Sequence, residues 1–480
     1  MSLNSLPSTD LAALSIAEAS RGIASGDWRP TDLLQAIFDR LDAVDGVIHS
    51  YLRTDREAAL AAAGQADLRA EQGTRLGALD GIPFAVKDNI YTSGLATTGG
   101  SRVPQHHDPA LHATLVARLQ AAGAILVGKL NTWEYGTGTG AVHFDLDAPP
   151  AHNPWHPDHF TGGSSSGSGA AVAAGTAYFA IGTDTGGSVR LPAAACGVVG
   201  LKPTFGRVSR HGIMPNCPSF DIAGPLTVTV EDACLVYEAI AGHDPADPTT
   251  LNHSVEPVLP TLRDGVKGLR VGLVRRLDPV DDVEPAIAQA LDQACEALRA
   301  QGAHVAEISL PIAAAEYRSV AAPINRSESY AANERDYLEH RDLMGRALRE
   351  KLDVGKDMRA SIYLGALRQR QDLIARTDAV FADVDVLLLP MTDRVAPLLS
   401  DEQSVIAFTT RSAGSPFSLT GHPAVSVPAG FNDKGLPVAV QLVAGFLQEA
   451  RLMRCARVLE CHFTPEPLRA KVLPGAARQP

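Results

Sequence analysis

The chain has 480 residues, of which 45% are hydrophobic and 20% are charged. This balance is typical of a soluble globular protein and excludes disorder, collagen and coiled coil as the main architecture. Lys and Arg number 42 and Asp and Glu number 54, which gives a net charge of −12. Because a surface of this sign repels phosphate backbones and anionic lipid headgroups, neither nucleic acid nor a membrane is expected as a partner.

The six cysteines are too few for a disulfide scaffold, and none lies in a CxxC pair or a Cys/His pattern with zinc-ligand spacing. They indicate thiols in a reducing compartment and give no metal site. Residues 1–30 contain no basic start followed by an apolar core, and no run reaches the roughly 18 apolar residues of a membrane-spanning helix. The expected location is the cytoplasm.

A helical lead-in is predicted over residues 8–72, because apolar residues recur there at three- and four-residue spacing. The predicted helices cover 8–25, 31–44 and about 55–72, with Thr9-Asp10 and Thr31-Asp32 as the N-caps of the first two.

A buried strand is predicted next, in GIPFAVKDN (81–89), where a short apolar run bounded by Gly and Asp ends at Lys87. A helix near 110–122 and a strand over 124–129 follow. The long Gly-, Pro- and His-rich segment that continues to residue 161 is predicted to be a loop, the usual place for recognition residues.

The centre of the fold is predicted at residues 167–184. GSGAAVAAGTA (167–177) is small or apolar on every side, which indicates a helix buried all round, and YFAIGTD (178–184) has the pattern of a strand after it.

The remainder of the chain is predicted to alternate between strands and helices. A Pro/Asp-rich linker over 244–266 precedes a βαβ-like unit, a mostly helical stretch over 325–380, three strands and a last helix. The βαβ-like unit covers 269–274, 283–301 and 304–310, the strands 384–390, 424–430 and 437–445, and the helix 448–461. This alternation predicts an α/β fold with a large mixed, mostly parallel central sheet covered by helices on both faces.

Two Gly/Ser-rich turns flank the central helix and strand. A helix of about ten residues advances roughly 15 Å and about five extended residues return a similar distance, so Ser164 and Ser188 are predicted to be neighbours. In TDTGGS (183–188), glycines allow successive backbone N–H groups to point at one spot, which suits an oxyanion.

A serine in such a turn needs a base, and Lys87 is the candidate. A lysine at the end of a buried strand loses hydration, which lowers its pKa and allows it to accept a proton near pH 7. Taken alone, such a lysine is more often part of a structural ion pair. A second interpretation also stays open, because GSSSG (163–167) matches G-x-S-x-G and would make Ser165 the nucleophile of an α/β-hydrolase.

Three segments together resemble the amidase signature family: GIPFAVKDN, TGGSSSGSGAAVAAG and GTDTGGSVRLPAAACGVVGLKPTFGRVSRHG. The resemblance implies one amidase domain over 1–480. Its parts would be the helical lead-in (8–72), the signature core (80–245), a linker and largely helical insertion (246–383), and C-terminal strands and helix that complete the sheet (384–462).

The resemblance also implies a Ser–cis-Ser–Lys triad without metal or cofactor. Ser188 would be the nucleophile, Ser164 the bridging serine after a cis peptide bond, and Lys87 the base. Backbone N–H groups of Thr185, Gly186, Gly187 and Ser188 would form the oxyanion hole, and Ser165, Asp184 and Arg190 would support the active-site loops. The substrate would be a small carboxylic amide, hydrolysed through an acyl-enzyme to carboxylate and ammonia or amine.

Substrate specificity is less defined by the sequence. Aromatic and apolar loop residues suggest an acyl pocket built from Trp133, Tyr135, Met214 and Phe220, although aromatic loop residues also serve as packing anchors. CPSFDIAGP (217–225) departs from the pattern of amidotransferase glutaminase subunits, which favours a stand-alone amidase, compatible with a homodimer. The alternatives are the glutaminase subunit of a tRNA-dependent amidotransferase complex, which would need partner subunits, and a non-catalytic scaffold.

Overall fold

One eleven-stranded sheet runs through the computed structural model, which describes residues 10–105, 110–137, 144–277, 282–466 and 469–470. In chain order its strands are β1 (Tyr51–Thr54), β2 (Pro83–Lys87), β3 (Ile125–Leu130), β4 (Phe179–Asp184), β5 (Val199–Lys202), β6 (Ile222–Thr227), β7 (Arg270–Leu273), β8 (His304–Glu307), β9 (Val386–Pro390), β10 (Ala424–Phe431) and β11 (Pro437–Ala444). Their spatial order is β1-β3-β2-β4-β6-β5-β10-β11-β9-β7-β8.

The sheet is large and mixed as predicted, but it is not mostly parallel. Of the ten strand pairings in the described residues, four are parallel and six antiparallel. The parallel pairs join β3, β2 and β4 near one end and β9, β7 and β8 at the other, whereas the middle is antiparallel. The difference arises because β5 and β6, which the sequence did not reveal as strands, are inserted there together with the β10–β11 hairpin.

Helices cover both faces of the sheet. Within the described residues they are α1 (Ile16–Ser25), α2 (Pro30–Ile48), α3 (Arg56–Glu71), α4 (Thr114–Ala121), α5 (Ser166–Ala174), α6 (Arg190–Cys196), α7 (Val230–Ile240), α8 (Pro285–Ala300), α9 (Ala314–His340), α10 (Arg346–Lys356), α11 (Ala360–Asp378), α12 (Glu402–Thr410), α13 (Gly414–Thr420) and α14 (Glu449–Phe463). None of them combines the length and apolar character that crossing a membrane requires.

Large and small strand residues face different helical layers. Successive strand residues point to opposite faces, so Phe84 and Phe179 stack at 5.1 Å in the core shared with α1, α2, α4 and α7. Their neighbours Ala85 and Ala180 face the other way, towards α5 and α6. All nine residues of α5 are buried, as its composition predicted, and this helix brings its N-terminus to the end of β2.

The first helix begins later than its predicted cap, whereas the second begins one residue earlier than predicted. Ser15 is the N-cap of α1 and forms a capping box with Glu18, and Pro30 is the first residue of α2. Asp10 therefore does not cap α1, although it precedes a short 3-10 helix at Leu11–Ala13, and Thr9 lies outside the described residues. Thr31 lies inside α2, where Asp32 accepts a hydrogen bond from the N–H of Arg29 at 2.8 Å.

Candidate active site

Lys87, the last residue of β2, ends in a site that is sealed from solvent. Its Nζ lies 2.7 Å from Oγ of Ser164 and 2.8 Å from Oγ1 of Thr183. Burial lowers the pKa of the Lys87 ammonium from 10.5 to about 7, although the charges of Asp221 and Asp184 act in the opposite direction. A large share of neutral amine is therefore available near neutral pH.

Ser164 lies just before α5, held by its backbone and its hydroxyl. The Gly163–Ser164 peptide bond is cis. The Ser164 carbonyl accepts hydrogen bonds from the N–H of Trp133 at 3.1 Å and the hydroxyl of Thr132 at 3.0 Å, and Oγ donates to the carbonyl of Gly136 at 2.8 Å. A Cβ on Gly163 would lie 2.2 Å from the Trp133 ring, so only glycine fits beneath that indole.

Ser188 lies in the turn between β4 and α6, which we call the nucleophile turn (185–189). Ser188 is half-buried, whereas Lys87 is fully buried. The backbone N–H of Ser165 donates to the carbonyl of Ser188 at 3.3 Å. The structure thus brings the two Gly/Ser-rich turns side by side, as the helix-and-strand geometry predicted.

A buried ion pair supports the nucleophile turn. Asp184 accepts hydrogen bonds from the N–H of Gly187 at 2.8 Å and of Val189 at 3.2 Å, and Arg190 donates to the same carboxylate at 2.9 and 3.0 Å. Burial alone would raise the pKa of Asp184, but the Arg190 guanidinium outweighs it and holds this pKa well below its usual range. The carboxylate therefore stays ionised and holds the turn.

The same contacts concern the N–H groups of the predicted oxyanion hole. The N–H of Gly187 already donates to the carboxylate of Asp184. In the described part of the chain, the N–H groups of Thr185, Gly186 and Ser188 have no protein acceptor. These three N–H groups are the predicted oxyanion donors that remain without a partner, and the oxyanion hole itself stays a prediction.

Ser165 is fully buried and has a structural partner. Its Oγ donates to the carbonyl of Thr183 at 3.1 Å and accepts from the N–H of the same residue at 3.2 Å. This pair ties the start of α5 to β4, which fits a supporting residue and not an exposed nucleophile.

A cavity of about 220 Å³ opens beside Thr183 and the nucleophile turn. Its lining includes Asn89, Thr183, Thr185, Met214, Asn216 and Asp221, with Arg210 and Asp247 among the others. Polar groups from the active site and apolar groups from the loop after β5 therefore line the same space.

Of the four predicted pocket residues, Met214 alone lines this cavity. Trp133 stacks on Phe160 at 6.3 Å between ring centroids, and Tyr135 donates its hydroxyl to Asp336 at 2.8 Å. Phe220 lies in the hydrophobic core beneath α9 and α11. Trp133, Tyr135 and Phe220 therefore lie outside the cavity beside Thr183, and their role in binding an acyl group stays a prediction.

Three residues near Lys87 were missed by the sequence analysis. Thr183 accepts hydrogen bonds from Lys87 and from Nδ2 of Asn89, the latter at 3.1 Å, and Oδ1 of Asn89 is buried without a partner among the described residues. Asp221 accepts from the hydroxyl of Thr185 at 2.6 Å, and the N–H groups of Asn216 and Cys217 donate to it at 2.8 Å, which fixes the loop before it. The sequence clue to Asn89 and Thr183 was their position, because they lie within the two motifs that contain Lys87 and Ser188.

Lys351 on α10 was also missed. Its Nζ donates to Oδ1 of Asn216 at 2.8 Å and to the hydroxyl of Thr137, and burial lowers its pKa to about 8. The available signal was a lysine between Leu348 and Leu352 on the buried face of an amphipathic helix. Among the described residues, no group of three His, Cys, Asp or Glu side chains is placed to bind a metal ion.

Comparison with known proteins gives the family. The sequence model of the Amidase family matches residues 32–453. The chain is 40% identical to a glutamyl-tRNA(Gln) amidotransferase subunit of Anaeromyxobacter dehalogenans (strain 2CP-C), over 96% of this chain and 99% of that relative.

Solved structures agree with this assignment. One was described as a vestigial protein complex that reveals the evolutionary origins of an s-triazine catabolic enzyme; it has a TM-score of 0.87 and 33% identity, covering 95% of this chain and 100% of that chain. The peptide amidase of Stenotrophomonas maltophilia has a TM-score of 0.82 and 30% identity, covering 95% and 98%. This chain therefore belongs to the amidase signature family and is a hydrolase that acts on the carbon–nitrogen bonds of amides.

Proposed function

We propose that this enzyme hydrolyses a small carboxylic amide through an acyl-enzyme on Ser188, with Ser164 and Lys87 as the proton relay. The observation that carries the proposal is the buried contact of 2.7 Å between Lys87 Nζ and Ser164 Oγ, together with a Lys87 pKa of about 7. An amine of this pKa is an effective acceptor at neutral pH.

The steps follow from these positions. Neutral Lys87 takes the proton of Ser164 while Ser164 takes the proton of Ser188, and Oγ of Ser188 forms a bond to the amide carbon. The carbonyl π electrons move to oxygen, where N–H groups of the nucleophile turn stabilise the charge. When the tetrahedral intermediate collapses, the C–N bond breaks and the relay returns the proton to the leaving nitrogen. Water then attacks the ester by the same relay and releases the carboxylate.

The identity of the amide has two candidates. The 40% identity to an amidotransferase subunit, against 33% and 30% for the two structural neighbours, supports a glutaminase that works with partner subunits. The departure in CPSFDIAGP (217–225) and the likeness to a peptide amidase support a stand-alone amidase. Glutamine is therefore the first amide to test, followed by aryl, aliphatic and urea-like amides.

The test measures ammonia or amine release by the purified chain, with Ser188→Ala and Ser165→Ala as a matched pair. Loss of release in Ser188→Ala and retention in Ser165→Ala supports the proposal, whereas the opposite order supports the α/β-hydrolase alternative. Turnover of glutamine only when partner subunits are added supports the amidotransferase role. No turnover of any amide and no reaction of Ser188 with a fluorophosphonate contradicts catalysis and supports a scaffold.

A further inference from the structure

Gln441 on β11 joins the nucleophile turn to the segment that packs upon it. The side chain is fully buried, and both ends of its amide are used. Oε1 accepts a hydrogen bond from Nη1 of Arg190 at 2.7 Å, and Nε2 donates to the carbonyl of Ala413 at 3.1 Å. Gln441 lies more than 200 positions after Arg190 in the sequence. Its side chain holds both the Arg190 guanidinium, which supports the turn, and the backbone carbonyl of Ala413 just before α13.

The backbone that Gln441 holds touches the nucleophile turn directly. A Cβ on Gly414 would lie 2.5 Å from the carbonyl oxygen of Gly186 and 2.6 Å from Cα of Gly187. The carbonyl of Gly414 also accepts a hydrogen bond from Nη2 of Arg190 at 2.9 Å. No side chain separates the two segments, so a displacement at 413–414 is passed to the turn through close-packed backbone.

Only a primary amide satisfies both contacts of Gln441. The Arg190 guanidinium requires a hydrogen-bond acceptor, and the carbonyl of Ala413 requires a donor. A carboxylate keeps the first contact but opposes the Ala413 carbonyl with a second acceptor, and an alkyl side chain makes neither contact.

We propose that Gln441 is a positioning residue for the amide hydrolysis proposed above, acting through Arg190 and Ala413 to hold the nucleophile turn. Its loss loosens the N–H groups that stabilise the oxyanion, which lowers the rate of acylation of Ser188. Because Gln441 contacts neither Lys87 nor the cavity beside Thr183, the pH midpoint of the reaction stays unchanged. The proposal rests on the function of Ser188.

Ser426 provides a matched control. It lies directly opposite Gln441 in the β10–β11 register, is equally buried, and its Oγ has no partner among the described residues. Ser426→Ala therefore disturbs the same part of the sheet without touching the contacts to Arg190 and Ala413.

The experiment follows covalent labelling of the full-length chain by a fluorophosphonate, which needs no knowledge of the natural amide. The first-order labelling rate and the final extent are measured across pH for wild type, Gln441→Leu, Gln441→Glu, Ser426→Ala and the Ser188→Ala blank. We expect labelling about tenfold slower in Gln441→Leu, with the same pH midpoint and full final extent, and labelling slower by a smaller factor in Gln441→Glu. Ser426→Ala should stay within about twofold of wild type.

The outcomes separate the two proposals. If wild type is labelled and both Gln441 variants are labelled at the wild-type rate, the positioning role is overturned and the function of Ser188 stands. The same conclusion follows if Ser426→Ala is slowed as much as the Gln441 variants. Absence of labelling in wild type overturns the function of Ser188 and the positioning role with it. If Gln441→Leu does not fold, Gln441→Glu decides, because it keeps the contact to Arg190 and breaks only the contact to Ala413.

Discussion

Nζ of Lys87 and Oγ of Ser164 are hydrogen-bonded at 2.7 Å, although Lys87 is 0% and Ser164 1% exposed. A lysine in such surroundings ordinarily has a carboxylate as its direct partner, whereas here the direct partners are two hydroxyl groups. The charges of Asp221 and Asp184 act at longer range and raise the pKa only partly. This arrangement keeps the pKa of Lys87 near 7, so that Lys87 can exchange a proton with Ser164 at neutral pH.

The first prediction concerns pH. Because Lys87 must be neutral to accept a proton and its pKa is about 7, the rate of Ser188 labelling should rise about tenfold per pH unit below 7 and level off above it. Since the charge of Asp221 raises this pKa, Asp221→Asn should move the midpoint to lower pH. A stopped-flow or gel-based labelling profile from pH 5 to 9 measures both. A profile that does not change between pH 6 and 8 would contradict Lys87 as the base.

The second prediction concerns stability. The folded pKa of Lys87, about 7, lies below its ordinary value of 10.5, so folding releases a proton between these values. Stability therefore rises with pH across that window, and the cost of burial is largest below pH 7. Lys87→Met removes this cost but also loses the bonds to Ser164 and Thr183, which gives an expected net gain of about 1–3 kcal/mol at pH 7.

Urea unfolding of Lys87→Met and wild type at pH 7 and pH 9.5 tests the linkage. The gain in the free energy of unfolding should shrink at the higher pH, while the variant is inactive at both. A variant that is less stable than wild type at pH 7, or a difference independent of pH, would be inconsistent with a buried, partly neutral lysine.

The sequence allowed the approach of the two serine turns to be predicted because they lie in short motifs with strong local constraints. The all-small helix α5 and the strand β4 fix the distance between the two serine turns, so their approach follows from chain geometry. The hydrogen bond from the N–H of Gly187 to Asp184 was not foreseen, because it depends on a positive φ of 119° that residue types do not encode. Gln441 and Lys351 were missed because they reach the site from distant segments through tertiary packing alone.

The fold was predictable in class but not in strand direction. Long apolar runs such as β9 and β11 are recognisable as strands, and their burial agrees with the prediction. The missed strands β1 and β5 have four residues each, and β6 is interrupted by Gly224 and Pro225, so none of them shows an apolar run as long as those of β9 and β11. Because β5 and β6 were not predicted as strands, the centre of the sheet was expected to be parallel, whereas its pairings are antiparallel.

The third prediction compares two adjacent glycines in the nucleophile turn. Gly187 has φ 119°, and a Cβ there would lie 3.2 Å from Cα of Gly414, whereas a Cβ on Gly186 meets nothing within 4 Å. Gly187→Ala should lower the free energy of unfolding by about 1–3 kcal/mol, and Gly186→Ala should change it by less than about 0.5 kcal/mol. Chemical denaturation of the two variants measures this difference. Equal losses would show that the turn adapts to a side chain at either position.

The fourth prediction separates the cavity residue from a packing anchor. Met214 lines the cavity of about 220 Å³, whereas Phe220 is 2% exposed within the core beneath α9 and α11. Met214→Ala should change the ratio of KM values between small and bulky amides by about three- to tenfold, because it enlarges the cavity. Phe220→Ala should leave that ratio unchanged and lower the free energy of unfolding by about 3–5 kcal/mol. A ratio of KM values does not depend on the fraction of folded enzyme, so an altered ratio in Phe220→Ala would place that ring at the substrate after all.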